Sequence, residues 1–324
     1  MCLKFDRINT GPCRCIDQPM RVVNSTIVCL SNLRNHQQVF AEQHIFWHLF
    51  NDREHECAAI VMTEITYGAA FADVYDEWYC NDVETATTVR MLTELVLHVP
   101  SPRVLELGAG TGRLAIPLAA ALPTGVVVAL DESPEMLQIL RSRASLTSAS
   151  VDGATAGTVV AAEGNMADLA ALSTHSEATV EPFNLVFASY NTFFNLHVPG
   201  DQARCLAAVA RRLHPHGVVV LDAFVAGSQA PQHATTSERR GDWTLHTTTD
   251  FDAATGLIIG STHSTHRDGR EVVRPWRIRY HSPKQLDELC AAAGFALASR
   301  YGSWQKSTFT IDDARHVSIY QLVR

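Results

Sequence analysis

A short apolar run that leads directly into three alternating glycines restricts the fold of this chain more than any other feature. Residues 103–107 read Arg-Val-Leu-Glu-Leu, and Gly108, Gly110 and Gly112 follow. Glycine lets the backbone turn sharply and approach a ligand without a Cβ clash. An apolar segment begins at Leu114. The pattern therefore predicts a strand, a glycine loop and a helix whose free N–H groups face that loop. A tight turn without a ligand is the alternative.

Predicted strands and helices alternate through the middle of the chain. The strands are expected over residues 103–107, 126–130, 158–162, 183–188 and 218–224. The helices are expected over residues 69–79, 84–98 and 114–122, from Ser133 to a loop at 145–157, and over 201–213. Such alternation predicts an α/β fold with a parallel sheet, right-handed crossovers and helices on both faces.

The pattern changes after residue 225. Three strands are predicted over 243–251, 257–266 and 272–280, joined by the turns Thr255-Gly256 and Asp268-Gly269, which are hairpin signals. A helix is expected from Ser282 to Gly294, followed by strands over 295–301 and 316–323. Inserts after strand C-termini lie over the ligand crevice of open α/β sheets. We therefore expect a core over 62–225, an antiparallel lid over 226–281, and the last core elements over 282–324.

Residues 1–61 show no sustained hydrophobic period, and the residue pattern changes at Met62. We therefore expect residues 1–61 to be a poorly ordered extension. Five of the eight cysteines lie there together with several histidines. No pair of cysteines has zinc spacing, so unpaired thiols and no metal are the prediction; a metal site in this segment is the alternative.

The composition and charge of the chain restrict the classes of molecule that it can bind. The net charge is -8 and no cluster of lysines and arginines is present, which argues against nucleic acid as a partner. No apolar run approaches the roughly 18 residues that span a bilayer. The N-terminus lacks the pattern of a signal peptide. We therefore expect a cytoplasmic protein that acts on a small molecule, away from membranes.

Two acidic residues near the glycine loop indicate which ligand it holds. Asp131 ends the second predicted strand, roughly 20 residues beyond the loop, where an acid binds ribose hydroxyls; helix capping is its alternative role. The loop reads Gly-x-Gly-x-Gly instead of the dinucleotide pattern, and Glu106 precedes it. A buried acid would repel a pyrophosphate, whereas it suits a cationic amino-acid group. We therefore predict S-adenosylmethionine (SAM) as the cofactor.

Residues 65–224 resemble the class I SAM-dependent methyltransferases, in particular small-molecule members such as the amino-sugar and glycine N-methyltransferases. The matching segments are Tyr67–Tyr79, Glu106–Gly112, Leu130–Leu137, Glu163–Leu169 and Ala188–Leu196. The resemblance implies a Rossmann-like sheet with helices on both faces and an antiparallel β lid. Asn165 stands where the family has an aspartate that accepts a bond from the adenine amine, and an amide oxygen can still accept it.

The resemblance also implies which residues contact the cofactor. They are Tyr67, Tyr75, Glu106, Gly108, Ala109, Gly110, Gly112, Asp131, Glu132, Met136, Asn165, Met166 and Ala188. Of these, the tyrosines would form an aromatic wall for the cationic donor, together with Tyr190 and Phe194. Simple core packing is the alternative role for each of these rings.

Methyl transfer from a sulfonium is an in-line displacement, so positioning is the main task of the protein. An amine acceptor must also lose its proton before it attacks. We predict that Tyr190 and Asn191 hold the acceptor and that His197 is the base, with His281 as a second candidate. A cap of the loop is the alternative role for Asn191, and a surface or structural role is the alternative for each histidine. The expected reaction is methyl transfer to nitrogen or oxygen. A nicotinamide-dependent oxidoreductase and a non-catalytic SAM-binding protein are the alternatives, and Asn165 keeps the latter open.

Overall fold

The computed structural model describes residues 26–30, 46–50, 58–63, 67–79, 81–149, 157–169, 172, 182–227 and 231–323. The chain divides into two compact units, Met1–Ile65 and Thr66–Arg324. The first unit contains an antiparallel sheet with the order β1-β3-β2, built from β1 (Thr26–Leu30), β2 (Phe46–Phe50) and β3 (Ala58–Thr63). The extension predicted over residues 1–61 and its alternative metal site fall largely outside the described residues, and both stay predictions.

The second unit alternates strands and helices as expected. Its helices are α1 (Tyr67–Phe71), α2 (Tyr75–Tyr79), α3 (Asp82–Val96), α4 (Ala115–Ala120), α5 (Pro134–Ala149), α6 (Asp201–Arg212) and α7 (Pro283–Ala292). The first strands are β4 (Arg103–Leu107), β5 (Val126–Asp131), β6 (Thr158–Glu163), β7 (Phe183–Ala188) and β8 (Leu213–Phe224). A short 3-10 helix, Thr192–Asn195, follows β7.

Four antiparallel strands form the lid sheet. They are β9 (His233–Arg240), β10 (Trp243–Asp252), β11 (Leu257–His266) and β12 (Glu271–Arg279), in the order β12-β11-β10-β9. Gly256 and Gly269 have positive φ at the two predicted turns. The sequence predicted three of these strands. It missed β9 because that edge strand is almost entirely polar and solvent-facing, as unpaired sheet edges usually are.

The last two strands, β13 (Phe295–Tyr301) and β14 (Arg315–Leu322), complete a seven-stranded sheet with the order β13-β14-β8-β7-β4-β5-β6. Strands β4 to β8 pair in parallel, and β14 is antiparallel to both neighbours. The chain leaves β4 toward β5 on one side and later returns to β7 on the other. The crevice at the carboxyl ends of β4 and β7 is therefore the expected ligand position.

Helices cover both faces of this sheet, which confirms the predicted fold class. Val104 and Leu105 are consecutive in β4, and they belong to two different buried clusters. Phe194 and Leu286 pack in the cluster of Leu105, and Leu118 packs in that of Val104. A strand buried on both faces is mostly apolar, and the two clusters explain why Val104, Leu105 and Leu107 are apolar, with the buried Glu106 as the exception. The division into a core, a lid and a C-terminal part stays a prediction.

Two helices differ from the prediction. The expected helix 69–79 is split into α1 and α2, because the Val74 N–H donates to the Phe71 carbonyl in a tighter turn, at 3.1 Å. Helix α5 continues into the segment predicted as a loop from residue 145. The hydroxyls of Ser142 and Ser145 donate to carbonyls four residues earlier, both at 2.9 Å, so these serines turn inward to the helix instead of breaking it. Within the described residues, no helix is long and apolar enough to cross a membrane.

Candidate active site

The three loop glycines have positive φ, at 65° for Gly108, 55° for Gly110 and 81° for Gly112. A Cβ at Gly108 would lie 2.2 Å from Thr192 Cγ2, and one at Gly112 would lie 2.8 Å from Leu140 Cγ. Those contacts are closer than packed atoms tolerate. The first and third glycines therefore allow the loop to pack against its neighbours.

Gly110 is different because an added Cβ would meet only ordinary van der Waals contacts. A Cβ built there would approach only Tyr75 Cε1, at 3.8 Å, and Met136 Sδ, at 3.9 Å. Its neighbour Ala109 donates its N–H to the Leu130 carbonyl at 2.8 Å, which ties the loop to the end of β5. The position above Gly110, bordered by an aromatic ring and a thioether, is the candidate hollow for a ligand.

Glu106 places a buried carboxyl group beneath this loop. Its side chain is 3% exposed, and burial raises its pKa to about 8, with Asp131 adding to the shift and Arg113 opposing it. The backbone N–H of Ala115 donates to it, but among the described residues its Oε2 atom has no hydrogen-bond partner. Buried polar atoms nearly always have partners, so this oxygen is suited to a ligand donor.

Asp131 holds the glycine loop against the end of β5. Its Oδ2 accepts from the N–H of Gly110 at 2.8 Å, and its Oδ1 accepts from the N–H of Ser133 at 2.9 Å. Burial raises its pKa. Ser133 caps α5, since its Oγ accepts from the Met136 N–H at 3.2 Å. Each carboxylate oxygen keeps a second lone pair, so the predicted contact with ribose hydroxyls stays a prediction.

Tyr75 is the tyrosine that reaches the carboxyl pair. Burial raises the pKa of its hydroxyl far above the usual value, Arg113 opposes this shift, and the charges of Glu106 and Asp131 add to it. Tyr67 stacks on Phe71 with the ring centroids 4.5 Å apart. The structure therefore brings Tyr75 to the hollow at Gly110 and places Tyr67 in an adjoining aromatic cluster.

Asn165 joins the loops after β5 and β6. Its Nδ2 donates to Glu132 Oε2 at 3.2 Å, and its Oδ1 accepts from the Ala167 N–H at 2.7 Å. One lone pair of the amide oxygen remains, so its predicted contact with adenine stays a prediction. Met166 packs against the sheet core, and Ala188 is fully buried at the end of β7.

The loop after β7 contains two non-glycine residues with left-handed backbone, Tyr190 at φ 52° and Asn191 at φ 64°. The Asn191 Oδ1 accepts from the Phe224 N–H at 2.6 Å, and the N–H of Tyr190 donates to Asp222 Oδ2 at 2.9 Å. Both residues are thus held to the end of β8. The Asn191 amide oxygen is already bonded to the Phe224 N–H. The predicted contact of Asn191 with the acceptor therefore depends on its NH₂ group.

The ring of Tyr190 lies between two cations. The guanidinium of Arg113 is 4.0 Å from its centroid and that of Arg315 is 5.4 Å away. Burial raises the pKa of its hydroxyl to about 12, and a hydrogen bond with Glu84 adds to the shift. The phenol is therefore neutral at physiological pH, where it can donate but cannot act as a base.

The two candidate bases have different surroundings. His197 is partly buried, and its Nδ1 lies 3.1 Å from the Asn195 carbonyl oxygen. It is close enough to Glu132 to lower the pKa of that residue, which burial otherwise raises. His281 Nδ1 is buried without a partner among the described residues, and burial lowers the pKa of this ring.

Arg113, Asp222 and Arg315 are the site residues that the sequence analysis missed. Asp222 interrupts an apolar strand, with its side chain 1% exposed, and that interruption was the available signal. It forms a two-bond pair with Arg315, at 2.7 Å and 2.6 Å, and also accepts from Trp304 Nε1 at 3.2 Å. This carboxylate therefore anchors the left-handed loop after β7.

Replacing Asp222 with asparagine should lower the free energy of unfolding by about 3 kcal/mol, because a buried ion pair loses one partner. Urea unfolding measures the change. Glu94→Gln is the matched control, since its pair with Lys306, at 2.7 Å, is about half-exposed on both sides and should contribute less than about 1 kcal/mol. Equal effects of the two substitutions would show that the Asp222 pair is not structural.

Comparison with known proteins agrees with this geometry. Residues 104–217 match a family model described as a methyltransferase domain. A segment of 64 residues is 44% identical to the release factor glutamine methyltransferase of Deinococcus radiodurans, covering 20% of this chain and 23% of that relative. The chain thus matches less than a quarter of that relative's length.

Solved structures match over most of the chain. The CcbJ methyltransferase from Streptomyces caelestis is 27% identical, with a TM-score of 0.68 over 81% of this chain and 100% of that one. An S-adenosylmethionine-dependent methyltransferase from Clostridium acetobutylicum is 16% identical, with a TM-score of 0.63 over 78% of this chain and 98% of that one. The second likeness concerns the fold alone.

The family match begins in β4 and includes the glycine loop, Asp131 and the loop after β7. It decides against the oxidoreductase alternative. Residues 104–217 thus form a methyltransferase domain, in a chain with the fold of S-adenosylmethionine-dependent methyltransferases.

Proposed function

We propose that this protein transfers the methyl group of SAM to a nitrogen or oxygen atom of a small molecule enclosed between the glycine loop and the lid. The observation that carries the proposal is the pairing of the uncrowded backbone at Gly110, where an added Cβ would meet no atom closer than 3.8 Å, with the unpartnered buried oxygen of Glu106. One offers room for a ligand, and the other offers a negative charge to a ligand that is positive.

The residues around the hollow fit each part of the cofactor. Glu106 would accept from the ammonium group, and its proton would leave as the cation arrives. The remaining lone pairs of Asp131 would accept from the ribose hydroxyls, and those of Asn165 from the adenine amine. Tyr75 supplies an aromatic and weakly polar wall beside the positive sulfur. SAM brings an activated methyl group when it is bound, so the protein has to position the acceptor and exclude water.

His197 is the proposed base. A hydrogen bond from its Nδ1–H to the Asn195 carbonyl leaves Nε2 as the lone-pair nitrogen. That nitrogen would take the proton of an attacking amine or hydroxyl. The left-handed loop at Tyr190 and Asn191 would support the acceptor from the other side. The Asn191 NH₂ group would be the donor, because the Tyr190 hydroxyl is already bonded to Glu84.

A labelled-methyl assay tests the proposal. Purified protein and SAM carrying a labelled methyl group are incubated with pooled small metabolites, and mass spectrometry identifies any labelled product. Thermal unfolding with SAM or NAD provides the binding arm, since a ligand at 100 times its Kd stabilises by about 2.7 kcal/mol. We expect SAM to stabilise and label to appear on a small molecule. Stabilisation by SAM with no transfer to any pool would instead identify a non-catalytic SAM-binding protein.

His197→Asn should lower kcat by about 100-fold or more, because a positioned base typically contributes that much. The KM for SAM should stay unchanged. His246→Asn, on the exposed side of the lid, is the control and should leave kcat unchanged. Activity of His197→Asn within about twofold of the wild type would remove this residue from the mechanism.

A further inference from the structure

The imidazole ring of His197 is oriented by the backbone next to it. This residue follows the 3-10 helix Thr192–Asn195, and its N–H donates to the Asn195 carbonyl at 2.8 Å. Its Nδ1 lies 3.1 Å from the same oxygen. The position of residues 195–197 therefore decides where Nε2 points, and Nε2 is the nitrogen proposed to take the proton.

Arg279, the last residue of β12, holds that backbone from the lid. Its Nε donates to the His197 carbonyl at 2.8 Å, and a second nitrogen of the guanidinium donates to the Thr255 carbonyl. Thr255 belongs to the turn between β10 and β11. Because the guanidinium is a planar fork with donors in fixed directions, it joins the candidate base and the lid turn at a set spacing.

The backbone of Arg279 is itself fixed from two sides. Its carbonyl accepts from Gln202 Nε2 at 2.8 Å, and Gln202 is a buried residue of α6. In the lid, Arg279 pairs with Leu257 at the start of β11, and the N–H of Tyr280 donates to the Gly256 carbonyl at 2.8 Å. The arginine side chain therefore starts from a point that both a core helix and the lid restrain.

The two bonds of the guanidinium have different consequences. The bond to Thr255 stays within the lid. So does the effect of the Arg279 charge on Asp252, whose pKa is lowered first by its bond from Thr255 and further by this charge. The bond to His197 instead crosses from the lid to the loop that follows β7. Stability of the lid turn accounts for the first bond and leaves the second to be explained.

We propose that Arg279 is a positioning residue for His197, which holds the base in place by tying its backbone to the lid. The inference rests on the proposed function and adds to it a residue that acts through the base. Because the tie starts in the lid, the direction of Nε2 depends on the position of the lid. The base is therefore correctly aimed when the lid lies over an acceptor.

The tautomer of the His197 ring tests the inference without any acceptor. Long-range ¹H–¹⁵N spectra of protein labelled at histidine distinguish the nitrogen that carries the proton from the nitrogen with the lone pair, and His197→Asn identifies the signals of this ring. At about pH 8.5, where an ordinary histidine is neutral, the wild type should show the Nδ1–H form that a bond to Asn195 requires. Arg279→Met removes the donors and should average the two nitrogens.

Kinetics test whether the arginine acts through His197. Labelled-methyl transfer is measured at saturating SAM with the metabolite pool that yields a labelled product. Arg279→Met should lower the rate by about 10-fold or more, because a small misplacement of a catalytic group has effects of this size. In a His197→Asn background the same substitution should change the rate by less than about twofold, since residues that act as a unit are not additive. Arg279→Lys keeps a donor and should lie between Arg279→Met and the wild type.

Arg267→Met is the matched control. Arg267 is also an arginine of the lid, but it lies beyond the opposite end of β11, and its side chain is 71% exposed beside Asp242. Its replacement should change neither the tautomer of His197 nor the rate. Calorimetric SAM affinity should stay within about twofold in every variant, which shows that each variant is folded.

Any of three results would overturn the inference: a fixed Nδ1–H tautomer of His197 in Arg279→Met, an unchanged rate in that variant, or the same fractional loss of rate with and without His197. None of them affects the proposed methyl transfer. Full activity of His197→Asn would remove the proposed base and this inference with it. Failure of the wild type to bind SAM would refute the proposed function itself.

Discussion

Replacing Gly110 with leucine should weaken SAM binding by at least about 100-fold, which corresponds to roughly 2.7 kcal/mol. The backbone there has a φ of 55°, and the added side chain would project into the hollow bounded by Tyr75 and Met136. The cofactor and the leucine would then compete for the same volume. Isothermal titration calorimetry measures the loss.

The control must reproduce the backbone strain without blocking the site. Gly269 has a φ of 91° and nothing within 4 Å of its would-be Cβ, and it lies in a lid turn. Leucine at either position costs on the order of 1–2 kcal/mol of stability. Gly269→Leu should therefore lower the melting temperature as Gly110→Leu does and yet bind SAM normally. Normal SAM affinity in Gly110→Leu would show that the hollow is not the cofactor site.

Replacing Glu106 with glutamine should weaken SAM binding by about 10- to 100-fold. This is about 1.4–2.7 kcal/mol, the size of a hydrogen bond to a charged group. Glutamine keeps the size of the side chain and removes its charge. The loss should be larger for SAM than for 5′-methylthioadenosine, which lacks the amino-acid group. Glu163→Gln, an exposed acid at the end of β6, is the control and should bind SAM normally.

The same substitution should change the stability of the free protein in the opposite direction. Burial raises the Glu106 pKa to about 8, so folding favours the protonated form. The wild type therefore has its full stability from this group below pH 4.5 and loses it as the pH rises through 8. Urea unfolding at pH 9 should show Glu106→Gln to be more stable than the wild type, by an amount that shrinks toward pH 5. A wild type that is more stable at pH 9 would contradict the buried, unpartnered state of this acid.

The fold could be predicted largely from the sequence because its strands are short apolar runs between turn residues. Strands β4, β7 and β11 have the predicted bounds. Strand β9 was missed because an exposed edge strand carries no apolar period. The division of the first helix depends on a local turn at Phe71 and Val74, and no residue there is a helix breaker.

Only part of the candidate site could be predicted from the sequence. The glycine loop, Glu106 and Asp131 are neighbours through adjacent strand ends, so local pattern was enough to place them together. The anchoring of Asn191 by Phe224, and of Asp222 by Arg315, joins residues 33 and 93 positions apart. Those contacts depend on the pairing of β7, β8 and β14, and no local pattern contains that pairing.

Proton release on cofactor binding tests the central claim most directly. At pH 7, a carboxyl group with a pKa of about 8 is mostly protonated, and a cation bound against it would expel that proton. Calorimetric titrations in two buffers of different ionisation enthalpy should show close to one proton released per SAM by the wild type and about none by Glu106→Gln. SAM binding without proton release, or tight binding of NAD instead, would contradict the account.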